Sequence, residues 1–141
     1  MVIRVVLGDD SRAVRDVLAE ILTRSGDIDL VALADDEPTL LAAIEAFRPD
    51  VVVTDVRMPP TGTDEGVRLA ESLATTHPDI AVVILSQYSD SQWLSRVFDR
   101  GSENRAWVMK ERVASRGQLI SAVRTVYQGE RWIDPSVTAP T

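Results

Sequence analysis

Five short apolar runs punctuate the chain: Val2–Leu7, Leu30–Leu33, Val51–Thr54, Ile80–Leu85 and Ala106–Met109. They are rich in β-branched residues and apolar on both faces, the pattern of strands buried on both sides of a parallel sheet. Between them the period lengthens to that of a helix. Val14, Val17, Leu18, Ile21 and Leu22 recur at i, i+3, i+4, i+7 and i+8 and predict one apolar stripe of a first helix. Leu40, Leu41, Ile44 and Phe47 predict a second, and Pro38 just ahead of them suits its first turn. Val67, Leu69, Ala70, Leu73 and Ala74 mark a third, and Trp93, Leu94, Val97 and Phe98 a fourth that ends near Gly101. Leu119, Ile120, Val123, Val126 and Tyr127 mark a fifth, which ends at Gly129; Ser115 and Gln118 have the spacing of its capping box.

Strand and helix alternate five times, which predicts an α/β fold: a five-stranded, doubly wound parallel sheet with helices on both faces and right-handed crossovers. The chain has 141 residues, the size of one domain. That domain is expected over residues 1–129. Residues 130–141, where the helical period has stopped, read as a tail or the start of a linker.

Composition narrows the possibilities further. Apolar residues make up 45% and charged residues 26%, ordinary values for a folded globular chain. No apolar run approaches the roughly 20 residues of a membrane span, and the apolar N-terminus is too short for a secretory signal. There is no cysteine, so a disulfide framework, a thiolate metal site and a cysteine nucleophile are excluded. The only histidine is His77, which excludes a multi-histidine zinc site within one chain and reads as an exposed residue in a helix-to-strand loop. These features suit the cytoplasm. Fifteen basic against 22 acidic residues give a net charge of −7, poorly matched to direct binding of nucleic acid.

In a doubly wound sheet, function gathers beyond the carboxyl ends of the strands. Asp9 and Asp10 follow the first run, Asp55 the third, Ser86 the fourth and Lys110 the fifth. The fold therefore brings three carboxylates, a hydroxyl and an amine towards one edge. Three acids so close call for a cation, and hard oxygen donors favour Mg²⁺ or Mn²⁺ over zinc. A lysine and a hydroxyl beside such an ion complete a phosphoryl site with a carboxylate nucleophile. Taken singly, each residue has a plainer reading. Asp9-Asp10 could cap the first helix, with Asp10 doing both jobs; Asp55 could be a loop acid, Ser86 a turn residue and Lys110 a solvated lysine. Their joint order at the strand ends favours the site.

Over residues 2–129 the chain resembles the receiver domain of two-component response regulators, on Asp9-Asp10, Asp55, Met58-Pro59, Ser86 and Lys110 taken in that order. It looks most like the NarL/LuxR-type subfamily, in which a stretch similar to Gln128–Pro135 leads to a helix-turn-helix DNA-binding domain. The resemblance implies a flavodoxin/CheY-like (βα)5 fold and a signalling module rather than an enzyme. It implies Asp55 as phosphoacceptor from the phosphohistidine of a histidine kinase. Asp10 is then a direct Mg²⁺ ligand, Asp9 a ligand mainly through water and the Arg57 backbone carbonyl a further ligand. Lys110 holds the phosphoryl group, Ser86 and Trp107 form the switch, and Arg57 and Tyr88 tune the lifetime of the phosphorylated state. It also implies a homodimer on phosphorylation, DNA contact solely through a C-terminal domain not in this chain, and no membrane contact. The outward charges of the first helix, Arg12, Arg15, Asp16 and Glu20, are expected to help choose the kinase. Arg112, Arg116, Arg124 and Arg131 read either as a solvated basic face or as an interface.

Four departures from the family are visible: a longer stretch from Pro59 to Gly66, an extended Arg100–Arg105 before the fifth strand, Glu111 where many receivers have a cis proline, and Trp107 in place of a smaller aromatic. A dehalogenase-like phosphatase shares the aspartate nucleophile and the metal. It needs a second aspartate two residues on, where this chain has Arg57.

Overall fold

The computed structural model describes residues 2–87, 92–98, 103–112 and 117–135. Strands β1 (Ile3–Gly8), β2 (Ile28–Ala34), β3 (Val51–Asp55), β4 (Ala81–Ser86), β5 (Arg105–Met109) and β6 (Trp132–Ile133) form one sheet in the order β2-β1-β3-β4-β5-β6, and every neighbouring pair is parallel. The helices between them are α1 (Arg12–Arg24), α2 (Glu37–Phe47), α3 (Glu65–Thr76), α4 (Leu94–Phe98) and α5 (Gln118–Tyr127). The expected parallel α/β architecture is present, with six strands in place of five. β6 escapes a reading of periodicity because it is two residues long and follows the turn at Gly129.

Alternating side chains serve the two faces of the sheet. Val6, Val52, Val82, Ile84 and Trp107 pack with Leu40 and Ile44 of α2, Leu69 and Leu73 of α3, and Leu94 and Val97 of α4. Val5, Leu7, Val53, Val83, Leu85 and Val108 pack on the other side with Leu18 and Leu22 of α1 and Leu119, Val123 and Val126 of α5. Strands covered on both faces have no wet side, and this is why their sequences are almost continuously apolar.

Three local expectations are corrected. Ser11, not Asp10, caps α1: its Oγ accepts the Val14 N–H at 3.3 Å. Val17, expected in the apolar stripe of α1, is 49% exposed. His77 closes α3 and is half-buried, with Nε2 3.2 Å from Glu45 at the end of the sheet away from the acid cluster. The predicted capping residue Ser115, the helix stop Gly101, and Arg116 lie outside the described residues.

Strand register positions the chemistry. Leu7 pairs with Val53, Val53 with Val83, and Leu85 with Val108. β1, β3 and β5 thus end at the same edge of the sheet, where Asp9 just after β1, Asp55 at the last position of β3 and Lys110 just after β5 come together. The order reverses between β1 and β3: from β1 the chain steps to β2 on one side, then crosses back past β1 to β3 on the other, and this is where doubly wound sheets open a crevice.

Candidate functional site

Asp9 is fully buried where β1 ends, with its N–H donated to the Ala34 carbonyl at 3.0 Å. Its Oδ1 accepts the Ser11 N–H at 2.9 Å, and its own carbonyl accepts Nη1 of Arg15 at 2.7 Å. Arg15, expected to face outward, is instead half-buried and braces the acid pair. Asp9 Oδ2 finds no aligned hydrogen bond among the described residues and has the Lys110 ammonium 3.1 Å away as its charge partner. Asp10 is exposed at the mouth.

Asp55 is 4% exposed at the end of β3, and Lys110 Nζ donates to its Oδ2 at 2.7 Å. One carboxylate oxygen from each of Asp9, Asp10 and Asp55 lies within 4.8 Å of the others. Burial, resisted by the Lys110 hydrogen bond and reinforced by the charges of Asp9 and Asp10, pushes the Asp55 pKa up to about 6. For Lys110, burial works against the charge, but the bonds and charges of Asp55 and Asp9 prevail and its pKa rises. Three carboxylates against one ammonium leave the pocket short of positive charge. The all-oxygen donors and the unaligned, buried Asp9 Oδ2 fit a hard divalent ion such as Mg²⁺ or Mn²⁺.

Ser86 ends β4 fully buried, with its hydroxyl donated to Met109 Sδ at 3.3 Å. Trp107 is also fully buried, packed in the α2–α4 layer, and its indole N–H has no hydrogen-bond partner among the described residues. The residue that the resemblance pairs with Ser86 as the switch thus has its indole already inside. Lys110 and Glu111 open a 3-10 turn, and the sole cis peptide among the described residues is Pro59–Pro60. Arg57 is half-buried just past Asp55. Tyr88 lies outside the described residues.

Two residues of the site were not anticipated. Gly66 approaches so closely that a Cβ there would stand 2.1 Å from the Asp55 carbonyl oxygen, and its N–H donates to the Val56 carbonyl at 2.9 Å. Its place in the Met58-to-Gly66 turn was the available signal. Glu65 is fully buried and gathers the long β3–α3 loop around its carboxylate. Oε2 accepts from Thr61 N–H at 2.6 Å and from the Thr61 hydroxyl, and Oε1 accepts from Thr63 N–H at 3.0 Å. Burial alone would raise its pKa, but the Thr61 and Thr63 bonds outweigh that and hold it at about 2. A glutamate in a polar loop gives no sequence sign of burial.

The basic face is partly spoken for. Arg124 Nε bonds Asp27 at 2.9 Å, and the Arg131 guanidinium sits 5.2 Å over the Phe98 ring. Trp93 is half-buried beneath Arg96, whose guanidinium lies 5.3 Å over the indole. Among the described residues no helix is long and apolar enough to cross a membrane.

Comparison with known proteins agrees with this geometry. Residues 5–123 match the response regulator receiver domain. Over 135 residues the chain is 33% identical to the oxygen regulatory protein NreC of Staphylococcus carnosus, covering 96% of this chain and 59% of that protein. Thus the chain spans somewhat over half the length of such relatives. The signal receiver domain of the response regulator NarL from Mycobacterium tuberculosis is 28% identical, with a TM-score of 0.78 over 92% of this chain and 98% of that one. The isolated receiver domain of RcsB from Salmonella enterica serovar Typhimurium, solved with BeF3−, shares the fold at 21% identity, with a TM-score of 0.82 over 97% of this chain and 96% of that one. The chain belongs to the response regulator receiver domain family, on the NarL/LuxR-type side of it.

Proposed function

We propose that this chain is the phosphorylation-activated receiver of a NarL/LuxR-type response regulator, and that Asp55 is its phosphoacceptor. The observation that carries the reading is the buried Asp55 carboxylate, held 2.7 Å from Lys110 and grouped with Asp9 and Asp10. Receivers take the phosphoryl group from a histidine kinase. An Asp55 oxygen forms a bond to phosphorus as the P–N bond of the phosphohistidine breaks, and the imidazole nitrogen keeps the electron pair. Asp10, Asp55 and the Arg57 carbonyl, with Asp9 mainly through water, would hold Mg²⁺, which when bound would neutralise charge on the phosphoryl oxygens. Lys110 pairs with one of those oxygens, and the Ser86 hydroxyl turns from Met109 to another. Arg57, two residues after Asp55, and Tyr88, two after Ser86, are the positions assigned to tuning the lifetime of the phosphorylated state, which is expected to be long-lived. Homodimerisation follows phosphorylation, and DNA is reached through a C-terminal domain beyond this chain.

A phosphatase reading lacks its second aspartate, since Arg57 occupies that position. A binding-only receiver would have lost one of the five site residues, and all are present. Incubation with acetyl phosphate and Mg²⁺, followed by intact-mass analysis, decides among the three. One stable, Mg²⁺-dependent phosphoryl group, absent in Asp55→Asn, is expected. Multiple turnover would indicate the phosphatase, and absence of labelling the binding module.

A further inference from the structure

The segment that leaves α5 is fastened at three successive points, one on α4 and two on β5. The Arg131 guanidinium covers the Phe98 ring of α4 at 5.2 Å. Trp132 and Ile133 pair with Ala106 and Trp107 of β5, and they straddle the sheet: Trp132 packs into the α1–α5 layer and Ile133 into the α2–α4 layer. Asp134 is fully buried and bonds β5 in both directions. Its N–H donates to the Trp107 carbonyl at 2.9 Å, and its Oδ2 accepts the Met109 N–H at 3.2 Å. Met109 also accepts the Ser86 hydroxyl and immediately precedes Lys110. One peptide bond therefore separates the anchor of the tail from the lysine on Asp55, and one hydrogen bond separates Met109 from Ser86.

We infer that Arg131–Asp134 is a latch that reads the phosphorylation site: docked on α4 and β5 when Asp55 is unmodified, loosened when Asp55 carries a phosphoryl group. The inference rests on the proposed role of Asp55. Phosphorylation draws the Ser86 hydroxyl off Met109 and pulls Lys110 onto the phosphoryl oxygens. The backbone between them, the Met109–Lys110 peptide, then shifts against Asp134. A buried carboxylate tolerates misalignment of its donor poorly, and a strand of two residues has few ladder bonds with which to resist. The segment passes from docked to undocked as a population shift, and whatever follows residue 135 is freed from the sheet edge.

The test is hydrogen exchange at the Asp134 amide of this chain with Mg²⁺, with and without beryllofluoride, while acetyl phosphate labelling is measured in parallel. We expect exchange to quicken about tenfold with beryllofluoride, as for loss of the backbone hydrogen bond from this amide to the Trp107 carbonyl. Asp134→Ala should exchange this segment fast in both conditions and still label at Asp55. Arg131→Ala, at an exposed position that leaves the core intact, should give intermediate exchange without beryllofluoride. Normal labelling with unchanged Asp134 exchange overturns the latch and leaves the receiver reading standing. Failure to label overturns both.

Discussion

Lys110 Nζ and Asp55 Oδ2 are 55 residues apart in the chain and 2.7 Å apart in space. The ammonium also lies 3.1 Å from Asp9 Oδ2, so it is the one described cation shared by two buried carboxylates. Lys110→Met would remove it and keep most of the volume. Asp55 would then feel burial and its acidic neighbours unopposed, and its pKa would climb beyond about 6. At neutral pH more of the nucleophile would be protonated, and the incoming phosphoryl oxygens would lose a donor. Removing one such donor from an oxyanion site costs roughly 10²–10³ in rate. We expect labelling by acetyl phosphate to slow at least about tenfold; an unchanged rate would place Lys110 outside the chemistry.

The same burial makes Asp55 a cost to the fold. Its native pKa is raised from 3.8 to about 6, so the native state binds the proton more tightly than the unfolded chain. Native stability is then fullest below 3.8, declines as pH rises through about 6 and stays lower above. A shift of this size corresponds to about 2–3 kcal/mol. In metal-free buffer at pH 7–8, Asp55→Asn should therefore unfold at higher urea than the parent, and the gain should vanish near pH 4. Mg²⁺ should remove much of the difference by stabilising the parent selectively. An Asp55→Asn protein no more stable than the parent at pH 8 would show that the pocket does not strain this carboxylate.

Gly66 sets a different limit. In the first turn of α3 an alanine is favoured over glycine by up to about 1 kcal/mol. The added methyl, however, would meet the Asp55 carbonyl oxygen at 2.1 Å and the Val56 Cα at 3.2 Å, both backbone atoms that cannot swing aside. Overpacking costs about 1–3 kcal/mol and outweighs the propensity gain. Gly66→Ala should lower the melting temperature and slow Asp55 labelling together. A melting temperature at or above that of the parent would mean that α3 moves away freely.

The β1, β3, β4 and β5 segments were legible because they are sandwiched between helical layers and have no polar face, and the site residues because parallel strands deliver their next residue to one edge. Other features obey no such period. Asp9, Asp10 and Ser11 are all good caps, and nothing in their order reveals that Ser11 takes the role while Asp9 spends one oxygen on the Ser11 N–H. β6 is too short to show an alternation, and Asp134 reads as a tail acid until the sheet edge encloses it. Arg15 has the spacing of an outward residue, but its long stem folds back to the Asp9 carbonyl.

Glu65 is the feature furthest from its sequence appearance, and its consequences are testable at low pH. It is fully buried, and its two oxygens face donors from Thr61 and Thr63. In Glu65→Gln one oxygen becomes an NH2 group, and in either amide orientation that group points at a backbone N–H. Donor against donor in a buried site costs about 1–3 kcal/mol. Because the pKa of Glu65 is lowered from 4.5 to about 2, its contribution is fully present above 4.5 and lost as pH falls towards about 2. The parent should therefore be more stable than Glu65→Gln at pH 7, and the two should converge between pH 4.5 and 2. The loop it holds begins beside Arg57, whose carbonyl is a proposed ligand, so weaker Mg²⁺ binding should accompany the loss at neutral pH. Urea titrations across that range and Mg²⁺ titrations at pH 7 check both effects. A constant stability gap down to pH 2 would show that Glu65 acts by shape rather than by charge, and Mg²⁺ affinity equal to the parent would confine its role to the loop.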